Sequence, residues 1–227
     1  MADTLTARVE ELETERARVI HIGLTDALTG LMNRGAFLSG LTEKLSASRR
    51  FGSAVALLVI DLDGFKDIND TLGHEAGDLI LQEVGVRLSE AARGGDLIAR
   101  LGGDEFAVVA EMPDRAEVEP LAQRLLGVLM KPMRVMGRTV SPGASVGVAL
   151  YPNHAADAGE LQRYADMALY RAKGMGRGVY SVFDAALRLE SELRRRLEAD
   201  LREAVDKREI VPWFQPVVDA HSGRVVS

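Results

Sequence analysis

Two carboxylates stand side by side in RLGGDEFAVV, residues 100–109, as Asp104 and Glu105. Two glycines precede them and apolar residues flank the whole. A tight turn between two strands uses glycine, but it has no need of a second acid. Upstream, the apolar run SAVALLVI, residues 53–60, predicts a buried central strand that ends abruptly in the charges of Asp61 and Asp63. If the end of that strand lies beside the hairpin turn, Asp61 meets Asp104 and Glu105. Carboxylates ~4 Å apart repel by ~4 kcal/mol at an effective dielectric of ~20, so such a cluster calls for a counter-charge. Oxygen donors with no His or Cys beside them suit Mg²⁺ or Mn²⁺ rather than zinc. Alone, the glycine–acid tetrad reads equally well as a plain turn, since Gly and Asp are common turn residues.

The pattern around these groups gives the elements that must position them. A helix is expected over residues 34–46, the strand over 53–60, and a helix over 75–92 with Leu79, Val84 and Leu88 on one side. Residues 96–101 and 106–110 form a hairpin around the glycines. A helix over 114–130, a small hairpin over 134–140 through Gly137, a strand over 144–150, a helix over 159–173 and a short strand over 179–183 follow. This order predicts an α/β (α+β) fold: a mixed, mainly antiparallel central sheet with helices on one face, close to a ferredoxin-like plan. Ahead of it, Leu5, Val9, Leu12 and Val19, with Arg16 in the skipped position, suit either a coiled-coil seam or one amphipathic helix. Residues 185–208 read as a charged helix. The tail from 209 has an apolar strand, VPWFQPVVD, then a turn at His221-Ser222-Gly223 and the start of another strand.

Composition narrows the class. The chain has 227 residues, a net charge of −6, 47% hydrophobic residues and no cysteine. Disulfides and thiolate metal sites are excluded, and a reducing compartment is compatible. The acidic balance argues against broad nucleic-acid binding, but not against a small anion held by a local basic cluster. No apolar run approaches the ~20 residues of a membrane span, and the charged start MADTLTARVEELETER lacks the apolar core of a signal peptide. A cytoplasmic location is expected, with any membrane anchor of a full-length protein lying further upstream.

The segment DLDGFKDINDTLGHEAGD, residues 61–78, followed by RLGGDEF, resembles the GGDEF-domain diguanylate cyclases. Further matches are DALTGLMNR at 26–34, SVGVA at 145–149 and ADMALYRAKGMGRGVY at 165–180, so the resemblance covers residues 24–184. The tail 209–227 looks like the opening of an EAL domain, a cyclic di-GMP phosphodiesterase module. The implied organisation is a signalling helix (1–23), the cyclase domain on a nucleotidyl cyclase palm plan (24–184), a linker helix (185–208) and a truncated EAL start (209–227).

The resemblance implies an enzyme that condenses two GTP into cyclic di-GMP and two pyrophosphates, with one GTP on each subunit of a homodimer. It implies Asp61, the Leu62 carbonyl and Asp104 as ligands of Mg²⁺ or Mn²⁺, with Glu105 as a further contact. Asp104 also matches the general-base position, although a metal-bound carboxylate is a weak base. Asn69 and Asp78 match the guanine readers and His74 a third substrate contact; a carboxylate can accept both N–H donors of guanine's edge. From the residues alone, His74 also reads as a turn histidine and Asn69 as a helix cap. The amides of Gly64, Phe65 and Lys66 lie where strand becomes helix, a natural anion cradle. Lys173 and Arg177 match the phosphate clamp; without the resemblance they are charges that favour a helix C-terminus. Arg93 and Asp96 match an R-x-x-D inhibitory site for the product, cyclic di-GMP. Gly178 stands where an Asn is usual, a departure expected to loosen that loop. The alternatives are a catalytically silent GTP-binding module controlling a C-terminal EAL phosphodiesterase, and a pure dimerisation relay.

Overall fold

The computed structural model describes residues 23–225 apart from 113 and 214. The helix expected over 3–23 therefore lies, but for its last residue, outside the described residues. The chain divides into two compact units, one running to Leu187 and one from Arg188.

The first unit is organised by strand β1 (Ala54–Asp63), whose residues are buried at every position but the first and the tenth, Asp63. A strand with apolar side chains on both faces must be covered on both. Its neighbours supply the edges. Strand β2 (Leu97–Gly102) pairs with β3 (Glu105–Met112), β3 pairs with β1, and β1 pairs with β6 (Gly143–Tyr151), all antiparallel. Strand β7 (Tyr180–Val182) closes the order β2-β3-β1-β6-β7 in parallel with β6. Strands β4 (Met133–Val135) and β5 (Arg138–Val140) make a separate hairpin.

Helices cover both faces of this sheet, not one as the element order suggested. Ala56, Leu58, Ile60 and Leu62 of β1 pack with α3 (His74–Ala91) and α4 (Val118–Leu129). Val55, Leu57 and Val59 pack with α1 (Arg34–Phe51) and α5 (Ala158–Gly174). The unbroken apolar run of β1 is the reason: one covered face would leave Val55, Leu57 and Val59 in water, at roughly 1.5–3 kcal/mol each.

Other boundaries shift for local reasons. Strand β1 runs on through Asp61 and Asp63, because β3 and β6 pair with it up to those residues. A separate short helix, α2 (Phe65–Leu72), lies between Gly64 and Gly73, both at positive φ. The helix expected from 114 opens as a tight 3₁₀ turn, Arg115–Glu117, capped by the Asp114 side chain. Arg87 on α3 closes the other end of α4, donating to the Val128, Leu129, Lys131 and Pro132 carbonyls. That guanidinium neutralises the partial negative charge of a helix C-terminus.

Helix α6 (Ala185–Asp206) begins at Asp184, whose carboxylate accepts from the Leu187 N–H at 2.8 Å. In the second unit, the described residues of VPWFQPVVD show one bridge, Val218 with Val225, in place of the expected strand. The turn itself forms, with Asp219 Oδ1 accepting from the His221 and Ser222 N–H groups.

His154 is expected to give the first unit a pH dependence. Its Nδ1 accepts from the Leu150 N–H at 3.0 Å, and its ring meets Phe183 edge-on at 5.5 Å. Burial, with Arg115 adding and Asp184 opposing, holds its pKa below the usual 6.5. A depressed histidine pKa means that the neutral form is the one folding favours. Its contribution is therefore complete above about pH 6.5 and is lost as pH falls below that value. Asp61 and Asp166, both pushed up by burial, act with the opposite sign. Comparing wild type with His154→Asn cancels them. The variant is expected to lose less unfolding free energy between about pH 7 and pH 5; parallel curves would show that His154 is not the sensor.

Candidate functional site

Side chains alternate across a strand, so Asp61 and Asp63 point to the α1–α5 face with Val55, Leu57 and Val59. Glu105 shares that face with Ala107 and Val109 on β3 by the same rule. The register sets Glu105 directly opposite Asp61. The Leu62 N–H donates to the Asp104 carbonyl at 3.4 Å. Within a strand the N–H and C=O of one residue face the same neighbour, so the Leu62 carbonyl also faces the hairpin tip. Asp61, Leu62, Asp104 and Glu105 thus share one corner of the sheet.

The electrostatics of that corner follow from crowding. Asp61 is buried and its carboxyl is pushed above the usual aspartate range, first by burial and then by Asp104 and Asp63, against the lowering effect of Lys173. Lys173 Nζ lies 2.7 Å from its carboxylate. One ammonium thus serves a corner carrying several acids. Among the described residues no three His, Cys, Asp or Glu side chains close up as a ready metal cage. The donor set nonetheless suits a hard divalent cation: carboxylate and carbonyl oxygens on two converging backbones, with excess negative charge.

The hairpin tip is held from behind. Gly102 and Gly103 have φ of 144° and 54°, values a side chain would strain. Arg100 donates to the Gly103 carbonyl through Nε and Nη2, at 3.0 and 2.8 Å, and reaches Asp26 through Nη1 at 3.2 Å. Burial would raise the Asp26 pKa. The Thr29 hydroxyl and N–H and the Arg100 charge outweigh it and hold the carboxyl below its ordinary value. The turn in DALTG therefore braces the backbone that carries Asp104.

The candidate base site lies between α2 and α3. Asn69 is inside α2 rather than at its start, so it is not a helix cap. Its Oδ1 is buried without a hydrogen-bond partner. Gly77 makes this possible: a methyl there would collide with Asn69 Oδ1 and lie 3.1 Å from the Phe65 ring. Asp78 follows Gly77 on the exposed side of α3, and His74, also exposed, is one turn earlier. At the start of α2, Gly64 provides no side-chain cap, which leaves the first-turn amides open to an anion near Lys66.

Arg177 stands in a left-handed conformation, φ 65°, between Gly176 and Gly178. Gly178 does not loosen this loop as expected. Its own φ is 65°, a value glycine adopts freely and asparagine tolerates better than most residues. The Gly-for-Asn departure therefore preserves the backbone, and the Gly178 N–H is tied to Asp63 at 3.0 Å.

Arg93 and Asp96 lie apart from this corner. The Arg93 N–H donates to Asp96 Oδ2 at 2.7 Å, and the guanidinium makes two 3.2 Å contacts with Glu117. They border a cavity of about 410 Å³ that also includes Met112, Glu117 and Arg124, residues the sequence pattern did not single out. A second cavity of about 410 Å³ opens between α1 and α5, where Arg34 and Asp166 join Glu105 and Lys173. Burial, with Glu105 adding and Arg34 opposing, pushes the Asp166 carboxyl up. Both residues lie inside quoted matching segments, DALTGLMNR and ADMALYRAKG, but only the packing of α1 against α5 brings them together.

Fold and corner define an α/β domain with an acidic, half-enclosed site at the end of a mostly antiparallel sheet. Residues 23–178 match the family described as "Diguanylate cyclase, GGDEF domain". The chain belongs to that family. It is 38% identical over 98% of its length to the Pseudomonas aeruginosa bifunctional diguanylate cyclase/cyclic di-GMP phosphodiesterase MucR, of which it spans 33%. It is 35% identical over 97% of its length to the phosphodiesterase NbdA of the same organism, spanning 28% of that protein. The chain thus spans about a third of the length of these curated relatives. The isolated GGDEF domain of P. aeruginosa TpbB superposes with a TM-score of 0.72 at 39% identity, covering 74% of this chain and 99% of that one. The coiled coil and GGDEF domain of Caulobacter crescentus DgcB, solved with c-di-GMP, gives 0.72 at 29% identity, covering 80% and 96%.

Proposed function

We propose that this chain is a diguanylate cyclase that condenses two GTP into cyclic di-GMP, each of two facing copies holding one nucleotide. The observation that carries the reading is the meeting of Asp61, the Leu62 carbonyl and the Asp104–Glu105 turn at one corner, beside Lys173. These oxygens would hold Mg²⁺ or Mn²⁺, which when bound would neutralise the triphosphate and the attacking and leaving oxygens. The residues do the rest. Asp78, exposed on α3, accepts the N–H donors of guanine's edge, and the Asn69 amide reads the remaining edge. His74 lies beside them. The first-turn amides of α2 with Lys66, together with Lys173 and Arg177, hold the phosphates. Each 3′-hydroxyl attacks the α-phosphate of the opposite GTP, a P–O bond forms, and pyrophosphate leaves with the electron pair of the broken bond. Asp104 is the candidate acceptor of the hydroxyl proton, a role that ranks behind its role as a ligand. One half-site holds only one reactant, so two copies must meet. The expected helix over 3–23 supplies a means to bring them together.

Incubation with GTP and Mg²⁺ tests the reading: cyclic di-GMP and pyrophosphate are the expected products. Tight GTP binding without turnover would instead favour a regulatory module. That second reading draws on NbdA, which is named for phosphodiesterase activity alone, and on the resemblance of residues 209–227 to an EAL start.

Arg93 and Asp96 are the proposed inhibitory site for the product. A guanidinium can stack on and fork to guanine, while a carboxylate accepts its N–H groups. Product added at increasing concentration is expected to slow wild type and to leave Arg93→Ala about tenfold less sensitive, the scale of one lost charged contact. Equal inhibition of both proteins removes the assignment.

A further inference from the structure

Asp63 lies two residues beyond Asp61 on β1 and has no part in the metal set or the nucleotide contacts above. Its carboxylate is nevertheless fully engaged. Oδ1 accepts from Ser145 Oγ on β6 at 2.8 Å, and Oδ2 accepts from the Gly178 N–H at 3.0 Å. The side chain is 9% exposed, Ser145 is wholly buried, and a methyl on Gly143 would lie only 3.0 Å from Asp63 Cβ.

What it holds is an unusual loop. Gly176, Arg177 and Gly178 all have positive φ, at 112°, 65° and 65°. A non-glycine residue in such a run persists only where surrounding bonds enforce it. Two ties do so. The Arg177 N–H donates back to the Ala172 carbonyl at 3.3 Å, and the Gly178 N–H donates to Asp63 across 115 residues of chain.

We propose that Asp63 is a positioning residue that sets the 176–178 loop, so that the Arg177 guanidinium is presented to the phosphates of the bound nucleotide. This rests on reading Arg177 as a phosphate contact. The action runs through the backbone. Arg177 Nε is 4.0 Å from Asp63 and its side chain is 64% exposed, so that ion pair is screened and weak. A backbone N–H on a shielded carboxylate is the stronger link. The geometry also explains why an acid follows Asp61 at a spacing of two: alternation returns it to the same face, one step nearer to the loop after α5.

A binding cycle with 3′-deoxy-GTP, which lacks the attacking hydroxyl, and with guanosine, which lacks phosphates, tests this. Asp63→Ala is expected to weaken 3′-deoxy-GTP about tenfold, the scale of one charge-assisted hydrogen bond, and to leave guanosine unchanged. In an Arg177→Ala background it should have no further effect. Asp63→Asn keeps an oxygen for the Gly178 N–H but not the charge, so it should bind 3′-deoxy-GTP more weakly than wild type and more tightly than Asp63→Ala. If Asp63→Ala fails to fold, Ser145→Ala, which frees the carboxylate without removing it, should show the same selective loss at smaller size. Guanosine weakened equally, or additive losses with Arg177→Ala, overturn the inference alone. A wild-type protein that binds no 3′-deoxy-GTP overturns the nucleotide-site reading, and this inference with it.

Discussion

Asp104→Asn is expected to cut cyclic di-GMP formation by about a thousandfold, the scale of losing a charge-stabilising contact together with a base. The folded state is expected to lose nothing. Asp104 stands at the hairpin tip, where its charge works against folding: it helps to push the Asp61 carboxyl up. An amide of the same shape removes that repulsion and keeps the Asp104 backbone carbonyl that accepts from Leu62. The unfolding temperature should therefore stay within ~2 °C of wild type or rise slightly. Rates and thermal unfolding measured on the same preparations separate the two effects. A variant that turns over within tenfold of wild type would show that this corner is not the reaction centre. A variant that loses rate and many degrees of stability together would show that the acid is structural. The combination of lost rate and kept stability is the signature of charge gathered against the interest of the fold.

The corner was legible in the sequence because its parts are local. The run from Ala54 to Ile60 is short, apolar and rich in Val and Ile, as a buried central strand is, and an acid at each of two strand ends needs only antiparallel pairing to bring them together. The sheet, its mixed pairing and the order of the helices follow from the same periodicity. What the sequence hid is non-local or sterically small. The unbroken β1 run already implied cover on both faces, yet element order alone suggested one. Helix α2 does carry a period, Phe65, Ile68 and Leu72 at helical spacing, but it is only eight residues long and closed by glycines at both ends, which in sequence look like a turn-rich connection. The brace from Asp26 through Arg100 to Gly103 spans 74 residues at its longer step. The vacant acceptor of Asn69 depends on Gly77 having no side chain, which is visible only when α3 is set against α2. Gly178 in place of Asn predicts a looser loop from residue identity alone; its φ of 65°, which glycine adopts freely and asparagine tolerates, makes the change conservative.

The largest effect on stability is expected from Gly147→Ala. In sequence it is a glycine within the strand pattern ASVGVAL, where it should weaken the strand and be easily improved. In the fold it is where α5 touches the sheet. A methyl built on Gly147 would fall on the Ala165 carbonyl oxygen and the Leu169 amide nitrogen, and 2.7 Å from Leu169 Cα. All three are helix backbone, so no side-chain rotation relieves the clash. Helix α5 must move away from β6, and with it the contacts of Tyr164, Ala165, Ala168 and Leu169 in the core. The cost expected for such overpacking is ~3 kcal/mol, roughly 6–12 °C in unfolding temperature for a domain of this size. Gly127→Ala is the control. It lies on the exposed side of α4 with nothing within 4 Å of the added methyl, and the change should raise stability by ~0.5–1 kcal/mol. Thermal unfolding of the two variants should therefore move in opposite directions. Should Gly147→Ala unfold like wild type, α5 does not rest on β6 at this point. That contact also bears on the proposed site: Lys173 is in the last turn of α5, and its ammonium lies 2.7 Å from Asp61. A milder wedge, Gly147→Ser being no smaller than Ala, is not available, so partial displacement has to come from the helix side. Leu169→Val would loosen the same seam without a clash, and a loss of nucleotide affinity larger than its loss of stability would tie the seat of α5 on β6 to the reach of Lys173.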